Sequence, residues 1–303
     1  MRRYERGVAI VLAMGVVALA TMAAAAIMVS QGTWARQAEL GADQVQSKAV
    51  LQAGADWARA VLYDDSRSSS VDYLGEPWAL RLPPMAVENG ELQGKIEDQQ
   101  GAFNLNNLVT GGKVSLVHLA RFQRLLAILG LPPELADALA DWLDADSEPQ
   151  PGGAEDAYYL ALDPPYLAAN QPLIDVDELA LVRGFDDTVR ARLRPYVSAL
   201  PRTTAVNVNT ATPEVIASII DGLDLGSAQA LVAQRDRSYF RDPADFASRL
   251  PRSAVAAPGD IGVSSNYFVA TLRVTIGGAQ ARGKALFERR GTGWPAIVWR
   301  KYL

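Results

Sequence analysis

The stretch that decides the fold is VAIVLAMGVVALATMAAAAIMV, residues 8–29, with the junction Arg6-Gly7 in front of it. Thr21 is its only conventionally polar side chain. An apolar run of about 20 residues is what an α-helix needs to cross the hydrocarbon of a bilayer. A signal-peptide core is shorter, about 7 to 15 residues, and no small-x-small cleavage site can be singled out among these alanines. Arg2, Arg3 and Arg6 precede the run, which predicts a cytoplasmic N-terminus and passage of everything after Val29 across the membrane.

The helical pattern does not stop at Val29. Trp34, Ala38, Ala42, Val45, Ala49, Ala53, Trp57 and Ala60 recur every three or four residues, forming one apolar stripe at helical period. No proline interrupts residues 8–63. A single helix of about 55 residues would reach roughly 80 Å. Glycines at 15, 32, 41 and 54 weaken it locally, so the alternative is a membrane helix hinged near Ser30-Gln31-Gly32 to a separate amphipathic one.

The cluster DDSRSSS (64–70) is expected to end the helix. Strand character follows at Trp78–Leu82 and Glu91–Glu97, and the polar phrase IEDQQGAFNLNNL (96–108) surrounds Phe103 and Leu105. Helices are expected over 116–131, 134–143, 175–182 and 187–200, with a Pro- and Gly-rich acidic loop at 144–172. A second helical unit starts near Thr204. Asp175 and Asp242 each stand at an expected N-cap with an acidic residue three positions on. The tail alternates like strands over 266–278, 281–290 and 296–303, with hairpin turns at Gly277-Gly278 and Gly291-Thr292-Gly293. Strands at both ends must pair to be stable. The pattern therefore predicts an α+β protein whose antiparallel sheet is interrupted by a large all-α insertion. Its segments are 8–63 (long helix), 64–109 (first part of the β-domain), 110–262 (insertion, in two units, about 110–202 and 203–262) and 263–303 (closing strands).

Composition narrows the chemistry. With 49% hydrophobic residues the part beyond the membrane can build a core, and a net charge of -5 gives no reason to expect nucleic acid. The absence of cysteine excludes disulfides and thiol catalysis, and any histidine-based site would rest on His118 alone. No Walker loop, Rossmann fingerprint or nucleophile–base pair is present.

The densest chemistry is DWLDADSEPQPGGAEDAYY, 141–159, where Asp141, Asp144, Asp146, Glu148, Glu155 and Asp156 crowd six carboxylates together. Hard oxygen ligands suit Ca²⁺. The spacing is not that of an EF-hand, because Pro149 stands where that loop needs glycine. From the residues alone, a calcium site and a solvated acidic loop are both open. Residues 206–232 have the form of a helix-hairpin-helix element, but its turn, GLDLG, carries Asp221 and Asp224 where phosphate binding wants cations.

Taken together, RG-VAIVLAM (6–14), IEDQQGAFNLNNLV (96–109), DWLDAD with GAEDAYY (141–159), PPYLAAN (164–170) and VNVNTAT (206–212) resemble the K-type minor pseudopilins (GspK family) of the bacterial type II secretion system. The resemblance spans essentially the whole chain. It implies a pseudopilin fold with an inserted SAM-like or helix-hairpin-helix-like α-domain. It also implies a leader, residues 1–7, cut by a prepilin peptidase between Gly7 and Val8, with methylation of the new N-terminus. Most pilins have glutamate at the fifth mature position, whereas this chain has Leu12, and the K-type subunits are known for lacking that glutamate. A buried carboxylate without a partner is costly in a membrane, and a subunit at the filament tip has no next ammonium to meet.

The resemblance further implies calcium, as one or two ions, near Asp141, Asp144, Asp146, Glu155 and Asp156, with Glu148 outside the set. The implied partners are the I and J minor pseudopilins, the major pseudopilin filament, the prepilin peptidase and the inner membrane, with exported substrates and the outer-membrane secretin as further contacts. The expectation is a non-enzymatic cap at the tip of the pseudopilus, anchored in the inner membrane with its main domain in the periplasm. The alternative is a membrane-anchored helix-hairpin-helix protein that binds DNA during uptake.

Overall fold

The structure, a computed structural model, describes residues 4–81 and 83–303. The arginines expected to set topology at positions 2 and 3, and the last residue of the expected strand at Leu82, lie outside the described residues. Helix α1 runs unbroken from Tyr4 to Ser68, 65 residues, without a hinge at Gly32. Its apolar section is fully exposed and long enough to cross a membrane. Ala-rich sequence carries the glycines, each costing about 1 kcal/mol relative to alanine.

The helix outlasts its expected end. Asp64–Ser68 were expected to break it, yet all five residues are helical. The hydroxyls of Ser66 and Ser68 donate back to the carbonyls of Tyr63 and Asp65. Asp65 is buried in the last turn and accepts a 2.7 Å bond from Arg289. A long-range ion pair thus overrides the local preference of Ser and Asp for turns.

After α1, the expected strand at Trp78 is instead a 3₁₀ turn, Pro77–Ala79, opened by Pro77, with Trp78 buried and its indole N–H donating to Glu76 at 2.8 Å. Strands β1 (Met85–Val87) and β2 (Gly90–Asp98) form the first hairpin. The insertion starts before the expected 110, because Phe103, Leu105 and Leu108 pack into its core. It holds β3 (Phe103–Asn104), β4 (Val109–Thr110), β5 (Lys113–Val114), α2 (Leu116–Ile128), α3 (Leu135–Leu143), α4 (Asp156–Tyr159) and α5 (Asp187–Leu193). It continues with β6 (Val197–Ser198), β7 (Val206–Asn207), α6 (Pro213–Ile219), α7 (Leu225–Arg235), α8 (Pro243–Ser248) and β8 (Ile261–Gly262). Two expected helices are shorter than their pattern. Residues 176–181 are a 3₁₀ turn with Asp175 and Glu178 as a capping box, and Pro195 ends α5 early, so the chain turns extended at Val197.

Strands β9 (Tyr267–Ile276), β10 (Ala279–Glu288) and β11 (Ala296–Tyr302) complete one antiparallel sheet in the order β1-β2-β9-β10-β11. The register pairs Ile96 with Ala270 and Leu92 with Val274, so the chain segments on either side of the insertion meet in the middle of the sheet. One face packs on α1: Leu51, Ala55, Ala58 and Leu62 meet Ile96, Phe268, Leu272 and Phe287. Burying each large apolar side chain there contributes about 1.5–3 kcal/mol. The close approach is made at Gly54, where a Cβ would stand 3.2 Å from Leu92.

The stripe that meets the sheet is not the one most visible in the sequence. Val45 and Trp57 remain exposed, at 71% and 40%, because small residues at 54, 55 and 58 let the sheet lie closer on the adjacent face, and Trp34, at 72%, stands on the part of α1 that projects beyond the sheet.

The insertion has its own core, including Phe103, Leu105, Phe122, Leu139, Tyr159, Ile216 and Phe246. Asparagines tie it together and to the sheet. Asn106 donates to the carbonyls of Leu173 and Leu200, each at 2.9 Å, and accepts from Leu173 N–H. Asn209 exchanges two bonds with the backbone of Phe240. Asn207 donates to Asp72 O, Ser265 Oγ and Asp98 Oδ2 at 3.0–3.1 Å. These side chains replace regular ladders in a region of short elements, where buried backbone groups would otherwise lack partners.

Where α1, sheet and insertion meet, Arg289 donates to Asp65, to Asp72 and to Ser265 O. Asp98 sits beside it, accepting from Ser265 Oγ and Gln100 N–H. Burial raises Asp98 to about 6 against the hydrogen bonds of Thr210 and Ser265. Asp65 also rises to about 6, through burial and the charges of Glu76 and Asp72.

Candidate functional site

The acidic segment is shaped by α3 on one side and the turn before α4 on the other. Asp141 lies in the last turn of α3 and Asp144 is its C-cap. The chain then leaves the helix, loops through Glu148–Pro151, and returns at Gly152-Gly153 so that Glu155 comes back to face Asp144. The return is tight: a Cβ at Gly153 would lie 1.8 Å from an oxygen of Asp141, so only glycine fits. Asp141 is wholly buried and accepts from Gln150 N–H at 3.1 Å, which fastens the loop to the helix. Aromatic packing closes the floor, with Trp142 edge-on to Tyr159 at 5.0 Å between ring centres.

Carboxylate oxygens of Asp144, Asp146 and Glu155 converge to within 4.8 Å of one another. Asp144 and Glu155 are buried, and Asp146 is exposed. Asp144 Oδ1 and both oxygens of Glu155 have no hydrogen-bond partner among the described residues. Buried acceptors are nearly always satisfied, so these oxygens call for a positively charged or protonated partner.

Among the described residues no lysine or arginine pairs with any of Asp141, Asp144, Asp146, Glu155 or Asp156. The other buried acidic group, Asp65, Asp72 and Glu76, differs in having Arg289 among its carboxylates. The electrostatic result is plain. Burial, then the charges of Asp146 and Asp141, raise Asp144 to about 6. Burial, then Asp141 and Asp144, raise Glu155 to about 7. Asp141 is raised by burial, opposed by the N–H groups of Gln150 and Ala154.

Of the five residues that the resemblance implies, the structure therefore brings three together. Asp141 forms the wall behind them. Asp156 turns away to accept Ala168 N–H at 2.9 Å, holding the 163–170 loop. Glu148 is exposed and bonds through its own N–H to Asp146. The donor set is all carboxylate, with no imidazole or thiol, which suits a hard divalent cation. His118, on α2, only shares a 2.9 Å hydrogen bond with Ser115, and burial lowers its pKa.

The helix-hairpin-helix turn is occupied by the chain itself. Gly222 adopts a positive φ of 76° and abuts Ser253 O, Asp221 pairs with Arg124, and Asp224 caps α7. The Leu223 N–H donates to Ile220 O and Asp221 O accepts from Val255 N–H, and the charged side chains of the turn are acidic.

A membrane-length helix continuing into the core of an antiparallel sheet, with a helical unit inserted between the strands, defines a pseudopilin subunit of the large, insertion-bearing kind. Two family models, both described as Type II secretion system (T2SS), protein K, match residues 101–202 and 206–264 respectively. Type II secretion system protein K of Pseudomonas aeruginosa is 38% identical over 291 residues, covering 91% of this chain and 86% of its relative. That of Klebsiella pneumoniae is 33% identical over 319 residues, covering 100% and 98%. In the solved GspK-GspI-GspJ complex from enterotoxigenic Escherichia coli, one chain superposes with a TM-score of 0.75 at 26% identity, covering 85% of this chain and 96% of that one. The chain belongs to the type II secretion system protein K family, the K-type minor pseudopilins.

Proposed function

We propose that the chain caps the tip of the type II secretion pseudopilus, starts its assembly together with I and J minor pseudopilins, and has no catalytic role of its own. The observation that carries this reading is the uncovered face of α1. Val45 and Trp57 stay exposed where the other face of the helix is already occupied by the sheet, and Trp34 stays exposed on the stretch that projects beyond it. Exposed apolar surface along such a helix marks a contact for other helices. The insertion, bulky beside the sheet, supports a position at the end of a filament rather than within its shaft.

On this reading α1 is held in the inner membrane with the folded part in the periplasm, where exported substrates and the outer-membrane secretin are the further contacts. Calcium, one or two ions, is held by Asp144, Asp146 and Glu155 with Asp141 behind them. It would supply the positive charge that the orphaned oxygens want and lock the loop to α3. The prepilin peptidase removes residues 1–7 and the new N-terminus at Val8 is methylated. Leu12 in place of a carboxylate fits a subunit with nothing above it.

Processing is directly testable. Gly7→Val expressed with a prepilin peptidase should stay full-length on a gel while the native chain shortens, and mass spectrometry of the native product should begin at a methylated Val8. A shortened Gly7→Val product would remove this reading. Leu12→Glu should not improve assembly.

A further inference from the structure

The face of the sheet turned away from α1 carries a cation pattern that nothing above uses. The register sets Lys95, Thr271, Lys284 and Lys301 directly across from one another on four neighbouring strands. One step along, Arg273 stands opposite Arg282. Opposed residues on neighbouring strands lie about 5 Å apart, and like charges in that position are destabilising.

Lys95 is paired with Glu97, and Lys301 with Asp175 and Asp177 of the insertion. Arg273, Arg282 and Lys284 form no ion pair among the described residues, and both arginines are exposed. Next to this row the insertion overhangs the sheet and leaves a cleft of about 430 Å³, walled by Ile174, Leu200, Val269, Leu286 and Trp299 and edged by Lys284. Glu97 and Asp175 also line the cleft but are neutralised by Lys95 and Lys301, and the half-buried Asp98 is bonded to Ser265 and Gln100, so the site offers free cations beside an apolar wall.

We propose that this face docks an acidic polypeptide segment of another protein, its carboxylates on Arg273, Arg282 and Lys284 and its apolar side chains in the cleft. The surface is independent of the tip assignment above. A lipid surface does not fit. The membrane-proximal turn of the sheet, Gly278, is bonded to Asp43. From Val29 to Asp43 the helix rises about 21 Å, and the cations lie farther still, beyond a screening length of about 8–10 Å.

The test uses the full chain in uncharged detergent micelles and a fluorescent 12-residue peptide of alternating glutamate and serine around a central Leu-Leu pair. Fluorescence anisotropy should report binding that weakens with salt and is lost when each glutamate is replaced by glutamine. Arg282→Glu with Lys284→Glu should weaken it about tenfold or more. A matched charge change on α1, Arg36→Glu with Lys48→Glu, should leave binding intact, and unchanged thermal melts show that the variants are folded. Absence of peptide binding, equal binding of the glutamine peptide, or an unaffected double charge swap would overturn the proposal. So would phosphatidylglycerol vesicles being the ligand that the double swap releases.

Discussion

Arg289→Met is expected to destabilise the folded part by about 3–5 kcal/mol, the usual cost of removing one partner from a buried ion cluster. Arg289 is the cation between Asp65 at the end of α1 and Asp72 in the following loop, and it also holds Ser265 O. Without it two buried carboxylates lose their countercharge while Glu76 and Asp98 stay nearby. The full chain in detergent, followed by near-ultraviolet circular dichroism, should melt roughly 10 °C lower, taking about 2–4 °C per kcal/mol for a domain of this size.

The pH dependence of the loss has a definite sign. Asp65 titrates at about 6 in the native protein against 3.8 ordinarily, so at pH below about 6 it is increasingly neutral and no longer needs the arginine. The variant should therefore recover part of its deficit at pH 5. A melt within about 2 °C of the native chain would mean that the cluster is not the junction between helix, sheet and insertion.

The second large effect concerns the acidic pocket. Adding calcium at a hundredfold excess over its dissociation constant should stabilise the chain by about 2.7 kcal/mol, if it binds only the native state. Chelation with EDTA should remove that gain. Glu155 and Asp144 are raised to about 7 and about 6 from 4.5 and 3.8. Groups raised in the native state contribute stability that is fully present below their unfolded values and lost as pH rises through the native ones. In chelator, stability should thus fall between about pH 4 and pH 7, as the unpartnered carboxylates ionise.

With calcium the trend reverses, because protons compete with the ion. The calcium-dependent shift in melting temperature should be small at pH 5 and reach full size above pH 7. Asp65 and Asp98 titrate in the same window, so the difference between calcium and chelator reports the pocket, not the chelator curve alone. Asp144→Asn with Glu155→Gln should abolish that difference and leave the chelator melt at pH 8 unchanged or higher. A native chain that melts at one temperature in calcium and in EDTA at pH 8 would sink the assignment.

Much of this was legible along the chain, for reasons that are local. The apolar run at 8–29, the alternation from Tyr267 and the capping acids at 175 and 242 each follow from contacts within a few residues. The end of α1 was not legible, because the residue that holds Asp65 helical is 224 positions away. Nor was the helix face that meets the sheet, since Gly54, Ala55 and Ala58 matter there by being small rather than apolar. In the acidic segment the composition marked the loop but not which of its oxygens converge. Asp156 and Glu155 are adjacent in sequence, yet one turns to Ala168 and the other to Asp144, a choice made by the turn at Gly152-Gly153.

The most direct measurement is co-purification of the processed full chain with I and J minor pseudopilins in detergent, with size and composition read by light scattering and mass spectrometry. One copy of each in a single complex is expected, lost when Trp34 and Val45 on the uncovered face of α1 are both changed to glutamate. Elution of the chain alone, or its incorporation at regular intervals along a filament of the major pseudopilin, would contradict a tip subunit.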